Sequence, residues 1–217
     1  MKSIVVDFEF CNVNRKQREL AGTGLYHEII EFGAVMLDQD RNVIGRFGRF
    51  VKPQFGSITS EIVRLTGITE KMLENEEDFK TVLEAFIQWI GNNEFEICSW
   101  SMSDYHQLSS EINEKTPGCH LNLLSNWRDV QREFGDGLSY KGMVSLKNAM
   151  SSIDEDFAGK AHDALADAEN TASLFLLLSD KEQFDRRTKP LQELFQPVES
   201  TGNTLGYMFA DLFAQFA

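Results

Sequence analysis

The chain is poor in cysteine, in basic residues and in long apolar runs, and each shortage closes off a class of protein. Cys11, Cys98 and Cys119 are the only cysteines. Their number is odd and their spacing matches no zinc-ligand pair, so neither a disulfide framework nor a zinc site is expected and the thiols are read as reduced. No stretch approaches the roughly 18 consecutive apolar residues of a membrane span, so no membrane partner is expected. The opening MKSIVVDFEF is interrupted by charge at once, unlike a secretory signal. The expectation is an intracellular, cytoplasmic protein. Lys and Arg number 21 against 34 Asp and Glu, a net charge of −13 at pH 7. Such an excess repels polyanions at long range and argues against broad, nonspecific nucleic-acid binding. Three local basic groups remain: Arg15, Lys16 and Arg18; Arg46, Arg49 and Lys52; Arg186, Arg187 and Lys189. Each reads either as a basic rim or as solubilising charge.

What is present suits one core. At 217 residues with 42% hydrophobic content the chain can bury a single good interior. SIVVDFEF reads as a buried strand, HEIIEFGAVMLD from His27 as a second and VIGRFGRFVKP as a third. Asp40, Arg41 and Asn42 form the turn of an antiparallel hairpin between the last two. Short helical signals surround TSEIVRLTG. Helical spacing is clear from Asp78 to Ile90, EICSW reads as a strand, and SDYHQLSSEINEK and VSLKNAMSSI read as helices. Strands first, then strand alternating with helix, predict an α/β fold with a mixed sheet covered by helices. The pattern breaks after Lys181, dividing the chain into a domain over 1–181 and a helical extension over 182–217. Pro190 and Pro197 bracket a short segment. Leu205, Met208, Phe209, Leu212, Phe213 and Phe216 then form an apolar stripe on a terminal helix, suited to its own domain, a homodimer or a protein partner.

Three segments carry carboxylates in positions that invite chemistry. On a strand, residues two apart share a face, so Asp7 and Glu9 leave the first strand side by side. Like charges held together cost free energy unless a cation neutralises them, and hard divalent ions prefer carboxylate oxygen. A strand end turning polar in water explains the same pair. Asp104 falls at the strand-to-helix junction after EICSW, where α/β sheets gather their sites; helix capping by Ser101, Ser103 or Asp104 is the alternative. In HDALADAEN, Asp163 suits an N-cap and the helix begins around Ala164. His162 and Asp167 are five residues apart and cannot share one helical face, so they converge only if His162 stands outside the helix. Asp163 and Asp167 share a face at i, i+4, and composition does not choose between them.

VDFEF, SWSMSDYHQL and HDALADAENTA, in this order and at these separations, resemble the three motifs of the DEDDh branch of the DnaQ-like 3′–5′ exonucleases. EIIEFGAVMLD, the LTGIT of Leu65 to Thr69 and SLKNA extend the resemblance over roughly Ser3 to Leu178. Its flavour is similar to the RNase T, Eri-type and KapD-like RNA-trimming enzymes. The resemblance implies a ribonuclease H-like mixed five-stranded sheet flanked by helices, with the exonuclease domain over 1–181. It implies that Asp7, Glu9, Asp104 and Asp167 are metal ligands, the family spacing choosing Asp167 over Asp163, and that His162 is the general base. The implied cofactors are two Mg²⁺ or Mn²⁺ ions bracketing the last phosphodiester. The implied reaction releases nucleoside 5′-monophosphates from single-stranded 3′ ends, RNA favoured. Leu65, Thr66 and Gly67 are implied to pack against the terminal nucleotide and Phe10 to stack on a base. The segment CNVNRKQRELAGTGLYH reads as a rim loop. The acidic total departs from what an RNA enzyme suggests. A DNA proofreading or repair exonuclease, or a non-catalytic module acting through the C-terminal helix, are the alternatives.

Overall fold

A computed structural model of the chain describes residues 1–118 and 121–195. The elements run β1 (Lys2–Asn12), α1 (Arg15–Ala21), β2 (His27–Leu37), β3 (Val43–Phe50), α2 (Ser60–Thr66), α3 (Glu70–Leu73), α4 (Phe79–Ile90), β4 (Phe95–Ser99) and α5 (Ser103–Lys115). A 3-10 turn (Leu121–Leu124) leads to β5 (Trp127–Asp129), α6 (Val130–Gly137), α7 (Leu146–Ser152), α8 (Ala164–Ser179) and α9 (Lys181–Phe195). The five strands form one mixed sheet in the order β3-β2-β1-β4-β5. β1 pairs antiparallel with β2 and parallel with β4. The expected hairpin forms β2 and β3, with Arg41 at positive φ in its turn.

Strand alternation sends two sets of apolar side chains into two cores. Ile4, Val6 and Phe8 of β1 and Phe32, Ala34 and Met36 of β2 pack with α4 and α5 on one face. Val5, Val35 and Leu37 pack on the other against α6, α7 and α8, with Phe134 and Phe175 fully buried there. Burying each such side chain stabilises by about 1.5–3 kcal/mol. Asp7 and Glu9 follow Val5 by two-residue steps and so face α8. Glu31 and Gly33 precede Val35 in the same way and lie directly opposite Glu9 and Asp7. Gly33 is needed there: a Cβ would meet the Ala164 carbonyl carbon at 2.0 Å, so the start of α8 rests on the β2 backbone.

Several expectations change. The segment read as a rim loop holds helix α1, stopped by Gly22 at φ 67° and started by Asn14, whose side chain accepts the Gln17 N–H while the Gln17 side chain accepts that of Asn14. Pro190 lies inside α9 rather than bracketing a segment. Phe184 of α9 is buried with its ring 5.6 Å from that of Phe134. The fifth strand is three residues long, too short for periodicity to reveal. Cys11 and Cys98 are free and buried, while Cys119 and the terminal stripe over 204–216 lie outside the described residues. No helix among the described residues is long and apolar enough to cross a membrane.

Candidate active site

The edge of β1 sets the site. β4 stops at Ser99, opposite Val6, so the Phe8 N–H beyond it has no strand partner on that side. Asp104 takes it: its Oδ1 accepts the Phe8 N–H at 3.0 Å from the first turn of α5. The capping alternative does not hold for Asp104: α5 has Met102 at its N-cap position with no side-chain cap bond, and Ser101 Oγ accepts the Ser103 N–H at 3.2 Å. Asp104 is spent on β1 instead, which brings it beside Asp7. On the other side α8 begins where expected, Asp163 capping it by accepting the Ala166 N–H at 3.0 Å. His162 stands outside the helix in left-handed backbone at φ 64°. Its N–H donates to Asp167 Oδ2 at 3.2 Å, and its Nδ1 lies 3.7 Å from Glu9 Oε1.

Asp7, Glu9, Asp104, Asp167 and His162, predicted from separate segments, are thus brought together. Glu31 joins them and was not singled out from the sequence. It is 9% exposed and its Oε2 accepts the Ala164 N–H at 3.3 Å. Its signal was a glutamate set among Ile29, Ile30 and Phe32 of β2, costly to bury without a purpose.

The electrostatics follow from crowding in a water-poor place. Burial, then Asp167 and Glu31, push Glu9 up to about 8. Burial raises Asp104 to about 7 against the opposing Phe8 hydrogen bond, and burial raises Asp167 to about 6. Asp7 is held well above its ordinary range by burial and by Asp104, Asp167, Glu9 and Glu31 in turn. Elsewhere the chain neutralises buried acids with its own cation: Lys115 bridges Glu28 at 2.7 Å and Glu111 at 2.6 Å. Among the described residues no Lys or Arg makes such an ion pair with the carboxylates of the site. Asp167 Oδ1 is buried with no hydrogen-bond partner. Glu9, His162 and Asp167 offer ligand atoms within 4.8 Å of one another. Clustered oxygen donors, short of positive charge and with one acceptor unused, fit hard divalent cations.

The exonuclease family model RNase_T matches residues 4–175. The chain belongs to this exonuclease family. It is 26% identical over 161 residues to 3′-5′ exoribonuclease 1 of Rattus norvegicus, covering 68% of this chain and 46% of that protein. It is 23% identical over 193 residues to the probable 3′-5′ exonuclease KapD of Bacillus subtilis, covering 86% of this chain and 89% of the other. The chain therefore spans less than half the length of the rat relative it matches. The fold is that of the nuclease domain of 3′hExo, a DEDDh family member solved bound to rAMP: TM-score 0.65, 22% identity, covering 82% of this chain and 92% of that one. The expected ribonuclease H-like α/β class holds, its five-stranded mixed sheet flanked by helices.

Around this cluster the remaining predicted residues separate. Thr66 and Gly67 abut the histidine loop, because Lys160 Nζ donates to the Thr66 carbonyl at 2.7 Å. A Cβ at Gly67, φ 82°, would sit 2.5 Å from that Nζ. Leu65 is 44% exposed. Phe10 is half-buried against the α4 core. The basic groups are largely engaged: Arg18 donates to the Val13 carbonyl, Arg46 pairs with Glu169 at 2.6 Å, Lys52 donates to the Glu74 carbonyl, and Arg187 pairs with Glu155.

Proposed function

We propose that the chain is a divalent-metal-dependent 3′–5′ exonuclease acting on single-stranded ends, RNA before DNA, and releasing nucleoside 5′-monophosphates. The observation that carries this is the partly buried, cation-poor carboxylate cluster, with Asp167 Oδ1 unused, beside a histidine held out of its helix. Asp7, Glu9, Asp104 and Asp167 would hold the metal, as two Mg²⁺ or Mn²⁺ ions. Bound there, the ions supply Lewis-acid stabilisation for in-line displacement at a phosphodiester. His162 accepts the proton of the attacking water. Burial first and Lys160 second lower its pKa, so the imidazole is neutral at pH 7 and ready as a base. Its Nδ1 faces Glu9, which leaves Nε2 for the proton. Thr66 and Gly67, drawn to the histidine loop by Lys160, suit contact with the terminal nucleotide; Leu65 and Phe10 complete that assignment. The relatives named exoribonuclease support RNA, and the reading takes in residues 1–181, with 182–217 an appended extension in a cytoplasmic enzyme.

The test is degradation of matched 5′-labelled RNA and DNA strands with Mg²⁺, with Mn²⁺ and in excess chelator. A ladder receding from the 3′ end, faster on RNA, with 5′-monophosphates as product and no reaction in chelator, is expected. Full activity in chelator overturns the metal assignment. Faster loss of DNA overturns the RNA preference and favours the repair alternative, and an inert protein favours the binding-module alternative.

A further inference from the structure

The geometry points to Glu31 as a positioning residue for His162, a role that rests on the reading of His162 as general base. Glu31 lies on β2 directly opposite Glu9, on the face turned to α8. Its carboxylate does not end in the cluster alone. Oε2 reaches across and accepts the N–H of Ala164, the first residue of α8 and two residues after His162. That N–H is one of the orphan donors of a helix start, which have no partner within the helix. Asp163 takes the Ala166 N–H, so Glu31 and Asp163 divide the donors of the first turn between a strand and the helix's own cap.

The consequence is a clamp of two parts. Gly33 lets the α8 backbone come down on β2, and Glu31, two residues earlier on the same face, stops it sliding along the strand. His162 needs such a clamp, because its positive φ is costly for a residue with a Cβ and persists only where the surroundings impose it. Its own N–H is tied to Asp167 Oδ2, inside the same first turns. Fixing Ala164 against β2 therefore fixes the imidazole relative to Glu9, which belongs to the neighbouring strand. Without the clamp the helix start is free to shift, and a displacement of about 1 Å at a reacting group can cost on the order of 10²-fold in rate.

The experiment uses the full chain at saturating Mn²⁺, below every variant's melting temperature. It compares wild type, Glu31→Ala, Glu31→Gln, His162→Ala and the double variant His162→Ala with Glu31→Ala. Glu31→Ala is expected to lower kcat roughly 10–100-fold with KM for an RNA oligonucleotide little changed. Glu31→Gln keeps an acceptor for the Ala164 N–H and should recover to within about 5-fold of wild type. In the His162→Ala background Glu31→Ala should cost nothing more, because a residue acting through another loses its effect when that other is gone. In metal-free protein the His162 imidazole NMR signals should move in Glu31→Ala and stay in Glu31→Gln. Equal losses in both backgrounds, or a Gln variant as impaired as Ala and needing more metal for half activity, overturn the proposal, the latter making Glu31 a ligand. A lower melting temperature with unchanged kcat also overturns it. If Glu31→Ala does not fold, Glu31→Asp, one methylene too short to reach, replaces it. Near wild-type turnover of His162→Ala refutes the general-base reading instead, and the NMR comparison then still decides whether Glu31 holds the imidazole.

Discussion

Replacing Glu9 by glutamine should make the metal-free protein more stable at pH 8 and abolish its activity. Glu9 is 8% exposed and its carboxyl is pushed from 4.5 to about 8 by burial and by its acidic neighbours. Between those two values the folded state holds a proton that the unfolded state has released. Stability therefore falls as pH rises through this window, and the penalty is complete above about 8. Each unit of displacement corresponds to about 1.4 kcal/mol, so ionising Glu9 in the folded chain costs on the order of 5 kcal/mol. Glutamine removes the charge but still buries a polar amide in place of the carboxyl, so about 2–4 kcal/mol is the expected gain. At roughly 2–4 °C per kcal/mol for a chain of this size, the melting temperature in chelator should rise by about 5–15 °C at pH 8. At pH 5 wild-type Glu9 is already protonated and the gap should close. Adding Mn²⁺ should reverse the order, because binding to the folded state stabilises wild type more than a variant lacking a ligand. Calorimetry of both proteins at the two pH values, with and without metal, reads all of this. A glutamine variant that melts at or below wild type at pH 8 in chelator would refute the reasoning and make Glu9 an ordinary satisfied strand residue.

His162→Ala should lose roughly 10²–10⁴-fold in kcat while metal and oligonucleotide affinity change little. The wild-type rate at saturating metal should rise with pH through a value below the ordinary histidine 6.5, since burial and Lys160 lower it; steady-state kinetics across pH 5–8 checks both. Gly33→Ala drives a Cβ into the Ala164 backbone, which has no flexible end to give way. It should destabilise by about 1–3 kcal/mol or more, read as a lower urea midpoint, with activity reduced in the surviving folded protein. A circular single strand should survive enzyme that degrades its linear form completely; opening of the circle on a gel would mean an endonuclease.

Local rules determined a good deal of this protein by themselves. Period-two alternation placed Asp7 and Glu9 on one face of β1 because that geometry is intrinsic to any strand. Helical angles required His162 to leave the helix for it to meet Asp167, and the capping chemistry of Asp163 located the start of α8 at Ala164. These are properties of a few neighbouring residues and need no knowledge of the fold. Asp104 shows where such rules stop. Among the short-range choices it competes as a cap, yet it binds the Phe8 N–H, because β4 ends two residues before that donor and leaves it open. The three-residue β5 exists only as an addition to β4 and has no periodicity of its own. The helix in the 11–27 segment lacks any buried face, so no apolar stripe announces it. Glu31 and Gly33 acquire their meaning from register: the pairing of β2 with β1 puts one beside Glu9 and the other beside Asp7, under the first turn of α8. Register and the close approach of two backbones depend on contacts between residues far apart in the chain, and only the tertiary structure decides them.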